Sequence, residues 1–334
     1  MKKLLLSFLF LLCLLNSCAD DENIMESKVA SYDVYVAGKE NNMACYWKNG
    51  VKTDLTNGAG ITPMKVIVES NTVYVLGVQN NTGSNSDYFF WKNNVRYNLK
   101  TYLSVSPTFR LVIKDFVVKN NVELFAGLVD DVNTPSSFAG DVSYWKNGVK
   151  TVLQLNQSLY NKISIDTYNN DIYVSPSGSG GYFKNNTFVN TGSAWSQNFA
   201  QTNNDIHFLY IHNNNHKLSY YNTVNNTVSY ENAFNYPNMT DCKLIADPST
   251  NNLYAFSEVL ESVYYKNNQQ ITVNDPVYRF IVDMKVLHDN IYMIREISPF
   301  STTPINYKVF INNVETQAIT GNIGSFNSVF VIPN

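Results

Sequence analysis

Seven carboxylates could do chemistry if two of them meet. Asp130, Asp141, Asp241, Asp275, Glu258, Glu261 and Glu296 lie in or beside irregular stretches between hydrophobic runs. Two carboxyl groups held about 5–9 Å apart hydrolyse glycosidic bonds, one as acid and the other as base or nucleophile. Spacing along the chain does not say which two would converge, and loop acids are commonly solvated surface. Three histidines, His207, His212 and His216, could gather a metal if they reached one point. But His207 holds the place that Tyr35, Tyr74, Tyr173, Tyr254 and Tyr292 hold in similar phrases, so a packed role is expected. Asp130-Asp131-Val132-Asn133 offers oxygens for calcium without the remaining positions of a calcium loop. The sequence contains no GxSxG, P-loop or HExxH motif. No catalytic residue, metal or cofactor is assigned, and binding is a stronger expectation than its alternatives, a polysaccharide hydrolase or lyase or a structural or assembly protein of the envelope.

Aromatic rings offer a second kind of chemistry. Trp195, Tyr102, Tyr160, Phe234, Tyr236 and Tyr278 stand outside the repeated phrases described next, as do Phe109, Phe138 and Phe300. An exposed ring beside Asn or Asp stacks on a sugar or peptide while the polar neighbour hydrogen-bonds. The alternative for each is that it plugs a channel or pins a loop.

The elements that would position these groups repeat. YWKNG at 46–50 recurs as FWKNN at 90–94 and YWKNG at 144–148, then degrades to YFKNN, YYNTV, YYKNN and VFINN. The second aromatic falls at Trp47, Trp91, Trp145, Phe183, Tyr221, Tyr265 and Phe310, in steps of 44, 54, 38, 38, 44 and 45 residues. In the first copy, residues 33–38 alternate as a strand and 44–48 form a second. Asn49-Gly50 is a hairpin turn, because both positions tolerate positive φ. Residues 51–55 return and 64–68 make a fourth strand. A four-stranded sheet alone is marginal, whereas seven stacked around an axis bury both faces of each. The chain therefore reads as all-β, a seven-bladed β-propeller, with the repeated aromatics packing between blades. Residues 326–332 form a solitary inner strand that would close the ring by completing the first blade. Lys28-Val29-Ala30 competes for that slot.

The two faces of such a ring would differ. Turns between inner and Tyr strands are short: Ser70-Asn71, Asn120-Asn121, Asn169-Asn170, Asn203-Asn204 and Asp289-Asn290. The hairpin turns share their face. Opposite them, connections at 77–87, 101–110, 127–141, 232–241 and 298–305 vary in length and composition. Binding residues sit disproportionately on varied loops of a rigid scaffold, so any site is expected on this variable face, at the channel mouth.

Met1-Lys2-Lys3 and the 12-residue apolar run at 4–15 form a targeting segment, too short to span a bilayer. Its end, Leu15-Asn16-Ser17-Cys18, resembles a bacterial lipobox, which implies cleavage before Cys18 and acylation of that cysteine. The expected organisation is a signal peptide at 1–17, an acidic tether at 18–31 and the propeller at 32–334. Ala19-Asp20-Asp21-Glu22-Asn23 resembles the surface-export signal of Bacteroidota-type lipoproteins, and reads equally as a solvated linker. The YVAG and YWKNG phrases resemble the propeller repeats of such lipoproteins. That resemblance implies an extracytoplasmic protein anchored by lipid in the outer membrane, with surface exposure left open, and it hands over no catalytic residues. Losing Lys2 and Lys3 takes the formal charge from −3 to about −5, with cations scattered singly, so no nucleic-acid partner is expected. A glycan or envelope protein is the expected partner, and a monomer the expected state. Cys45 and Cys242 fall in different repeats and are expected to be buried thiols.

Overall fold

The computed structural model describes residues 31–80, 86–131, 139–158, 161–212, 218–230, 242–258, 262–297, 306–319 and 324–334. Residues 34–332 form one unit of seven four-stranded antiparallel sheets, the blades of a β-propeller. Residues 31–33 and 333–334 group apart from it, and there the Asn334 amide donates to the Ser31 carbonyl at 2.8 Å.

Each blade follows the repeat. Blade two runs Thr62–Glu69, Thr72–Asn80, Ser86–Lys92 and Val95–Asn98, from inner strand to outer return. Blade one runs Ser325–Pro333, Tyr32–Glu40, Met43–Lys48 and Val51–Ala59, so the last strand of the chain supplies its inner strand. Ring closure thus uses the C-terminal segment, while 28–30 lies outside the described residues. The inner strands of blades three to seven are Phe109–Lys119, Ile163–Tyr168, Ser193–Gln201, Cys242–Asp247 and Phe280–Leu287.

The Asn of the repeated phrase is a two-point clamp. Asn49, Asn93, Asn147, Asn185, Asn267 and Asn312 all take positive φ, which Asn tolerates better than other side-chain-bearing residues. Each donates its backbone amide to the carbonyl of the second or third residue of the Tyr strand and accepts that residue's amide on Oδ1. All twelve bonds measure 2.8–3.0 Å. The Lys before it lies across from the strand's Tyr. Lys48, Lys92, Lys184 and Lys266 stand 5.5–5.6 Å from the ring centres of Tyr35, Tyr74, Tyr173 and Tyr254.

The aromatic before the Lys packs on the preceding blade. Trp91 joins a core with Ala44 and Leu55 of blade one, and its indole N–H donates to the Thr56 carbonyl at 2.9 Å. Trp145 packs with Tyr74 and Phe90 of blade two, and Phe183 with Leu124 and Tyr144 of blade three. Trp47 and Phe310 are buried as well, whereas Tyr221 and Tyr265 are half-buried.

Polar side chains of the inner strands cross all seven blade interfaces. Val66 N donates to Ser328 Oγ at 3.3 Å between blades one and two, and Lys65 Nζ to Asp115 Oδ1 at 2.7 Å between two and three. Asp115 Oδ2 accepts from Ser164 Oγ at 3.2 Å and Ile165 N at 3.1 Å, joining blade four. Gln201 Nε2 of blade five donates to Asp166 of blade four. Asn198 Oδ1 accepts from Leu244 N at 2.7 Å, Lys243 Nζ stands 3.3 Å from Asp283 Oδ1, and Asp283 Oδ2 accepts from Val329 N at 2.9 Å. That last bond returns to blade one. A bulge aims Asp115: the register shifts between Ile113 and Asp115, opposite Gly127. A Cβ on Gly127 would stand 2.2 Å from the Val112 carbonyl oxygen, so only glycine admits the bulge.

Candidate functional site

On the variable face, two of the seven sequence-flagged acids come together. The Tyr strands of blades six and seven, Asn252–Ser257 and Asn290–Glu296, end there, bringing Glu258 near enough for its charge to act on Glu296. Glu258 Oε1 pairs with Lys243 Nζ at 2.8 Å, and the same ammonium reaches Asp283. Burial opposes the Lys243 charge, but Asp283 and Glu258 outweigh it and its pKa is raised. Glu296 is buried. Burial pushes its carboxyl up, the hydroxyl of Tyr307 opposes by donating to it, and the charge of Glu258 adds to the rise. A half-exposed carboxylate paired with Lys243 thus lies near a buried carboxyl whose pKa burial raises.

The other acids have structural partners. Asp130 is buried and paired with Arg110 at 2.5 Å, so its carboxylate is committed to a guanidinium rather than open to calcium. Val132 and Asn133 lie outside the described residues. Asp141 accepts from Asn156 N at 3.2 Å. Asp275 caps its loop, accepting from Val277 N and Tyr278 N at 3.0 and 2.9 Å, and lies 3.7 Å from Arg295. Asp241 and Glu261 are outside the described residues.

His207 is buried opposite Asn222, in the repeat's Tyr position, and burial lowers its pKa. His216 lies outside the described residues, and His212 is described in its backbone alone. Among the described residues no three metal-ligating groups cluster. Cys45 and Cys242 are buried thiols in different blades, and burial pushes Cys45 up to about 12.

Of the six candidate stacking aromatics, Tyr160, Phe234 and Tyr236 lie outside the described residues, as do Phe138, Phe300 and the acylation candidate Cys18. Trp195 belongs to the inner strand of blade five, with its backbone opposite Ile211. Tyr102 differs from expectation. A single helical turn, Leu99–Tyr102, is capped by Asn98 and wedges it between blades two and three. Its ring lies 5.7 Å from Phe90 and 5.1 Å from Tyr97, and its hydroxyl donates to Glu123 Oε2 at 2.5 Å. Glu123 borders the Asn120-Asn121 turn, so Tyr102 belongs to the turn face. Tyr278 lies on the variable face but is half-buried against Phe310 at 6.2 Å, under Lys308 at 4.4 Å. Phe109 packs on the blade two–three core.

Two depressions lie on the turn face, opposite the one expected to hold a site. One of about 400 Å³ is bordered by Lys92, Tyr102, Glu123 and Asn147, and the Lys92–Glu123 pair at 3.0 Å occupies its wall. The other, about 540 Å³, spans blades three to five and reaches Pro248 of blade six. The turns follow the sequence pattern with two departures: blade five connects through 202–205 without positive φ at Asn203 or Asn204, and the blade-seven turn is His288-Asp289, both at positive φ, rather than Asp289-Asn290. Nothing in the phrases marked the inner-strand staples. The one available signal was Asp at the same place in DFVVK and DMKVL, at Asp115 and Asp283.

The fold defines the class: a seven-bladed β-propeller, with solved structures of similar fold. A candidate 6-phosphogluconolactonase from Bacteroides uniformis superposes with a TM-score of 0.51 at 10% identity, over 90% of this chain and 99% of that one. Apo AztD from Citrobacter koseri gives 0.45 at 10% identity, over 90% and 98%. The six-bladed fungal lectin of Aleuria aurantia gives 0.41 at 9%, over 89% and 96%. Such likeness is of fold alone, with lectin-like and enzyme-like neighbours together. No protein-family model matches the chain, and neither does any curated protein.

Proposed function

We propose that this chain is an extracytoplasmic propeller, anchored by lipid on Cys18, that binds a glycan or an envelope protein without catalysis through its variable face. What carries the reading is the pairing of half-exposed Glu258 with Lys243 at the variable-face end of blade six, with Glu296 of blade seven near enough to feel the Glu258 charge. Such a patch offers acceptors and a cationic donor to sugar hydroxyls or peptide amides. A second reading has a specific observation in its favour. Two carboxyl groups in unlike surroundings, Glu296 buried with its pKa raised and Glu258 half-exposed beside Lys243, are the asymmetry a polysaccharide hydrolase uses.

One experiment separates them. The full chain is incubated with a polysaccharide panel, and both retention and new reducing ends are measured. Retention without new ends supports binding. New ends that vanish in Glu296→Gln establish the hydrolase, and no retention on any glycan moves the partner to a protein. For the anchor, Cys18→Ser is expected to move the chain from membrane to soluble fractions; a variant that still pellets contradicts it.

A further inference from the structure

We propose that the turn face carries a binding site for an acidic saccharide, a sugar bearing a carboxylate, at the junction of blades three, four and five. This goes beyond the variable-face reading and stands independently of it.

The observation that carries it is a break in the repeat. In four blades the phrase Lys sits over the Tyr directly across from it. In blade three the residue across from Lys146 is Leu124, which offers no ring. Lys146 is exposed, and among the described residues it makes no hydrogen bond, ion pair or ring contact. It borders the 540 Å³ depression instead, within the range of about 300–1,000 Å³ typical of ligand clefts.

The rest of the depression fits the same ligand. Lys119 lies in its wall, its ammonium 2.5 Å from Gln201 Oε1 and 3.4 Å from the Thr167 carbonyl. Both partners are neutral, so its charge is not cancelled at contact. Gln201 relays to Asp166, whose carboxyl burial pushes up to about 6, and at the rim Glu69 Oε1 accepts from the Asn120 amide at 2.9 Å. Asn169 and Asn170 complete the rim with side-chain amides that bond no protein group among the described residues, unlike the six clamp asparagines of the hairpins. Two ammoniums suit one carboxylate, and exposed amides donate and accept at sugar hydroxyls.

The test is calorimetric titration of the full chain with a galacturonate trisaccharide, with the galactose trisaccharide as neutral control. The acidic sugar is expected to bind and the neutral one to bind at least tenfold more weakly, about the worth of one charge-assisted bond. Lys146→Met is expected to weaken the acidic sugar about tenfold. Leu124→Tyr, which gives Lys146 the ring seat of the other blades, is expected to weaken it in the same direction while the protein stays folded. Glu258→Gln, on the opposite face, leaves it unchanged, which separates this site from the variable-face reading. No heat with the acidic sugar, equal binding of both sugars, or unchanged affinity in both turn-face variants would overturn the proposal.

Discussion

Blade two and blade five build the same sheet from different amounts of the repeat. Blade two has the whole phrase: Trp91 buried on blade one, Lys92 over Tyr74, and Asn93 clamped to Val73 by two bonds. Blade five replaces these with Tyr221, half-buried, with Asn222 opposite His207, and with Thr223. Thr223 keeps one half of the clamp: its amide and hydroxyl reach the Ile206 carbonyl at 3.0 and 3.2 Å. The phrase is therefore a set of separable bonds, and the fold survives their partial loss because the inner-strand ring still crosses each interface.

The largest expected effect is at the buried end of that comparison. Trp91→Ala and Trp145→Ala should each destabilise by about 3–5 kcal/mol, the cost of emptying a large core site. Tyr265→Ala, at a half-buried position, should cost less than half as much. Equal losses in denaturant melts would break the claim that the early copies carry more packing. Asp115→Ala should cost about 2–4 kcal/mol, because it strands the Lys65 ammonium and the Ile165 amide at two interfaces. A loss no greater than that of an exposed acid such as Asp54 would remove the ring from the account.

Asp166 adds a pH effect of known sign. Its folded pKa of about 6 lies above the ordinary aspartate value of 3.8, so the folded state holds its proton more tightly. The stability this contributes is complete below the unfolded pKa and is lost as pH rises through about 6. Asp166→Asn should flatten melting temperature across that window, and an unchanged slope would contradict it. The smallest effect is a repair. His207→Tyr with Asn222→Lys rebuilds the Lys–Tyr pair in blade five and should add about 0.5–1 kcal/mol. A destabilised double variant would show that the pair does not transfer between blades.

What the sequence made legible follows from periodicity. Alternation gave the strands, Asn-Gly and Asn-Asn gave the hairpins, and recurrent Trp91 and Trp145 gave the interblade layer, whereas Trp47 packs edge-on to Phe326 of its own blade at 4.9 Å. The staples were not legible, because a bulge re-aims Asp115 and no spacing rule says where. Tyr102 was misplaced because the short turn Leu99–Tyr102 folds back from the return strand, which loop length alone does not reveal. The Glu258–Glu296 meeting needs two blades side by side and is set by tertiary packing, not by either phrase. The unseated Lys146 was readable in principle, since VELFAG puts Leu124 where five other copies have Tyr.

The most direct measurement of the division between scaffold and site uses Glu258→Gln. Binding to a retained glycan or envelope partner and melting temperature are read on the same samples, beside the parent. The account predicts that binding falls while melting stays put, since a half-exposed ion pair contributes at most about 1 kcal/mol. Binding that is unchanged, or that falls only together with melting, would contradict it.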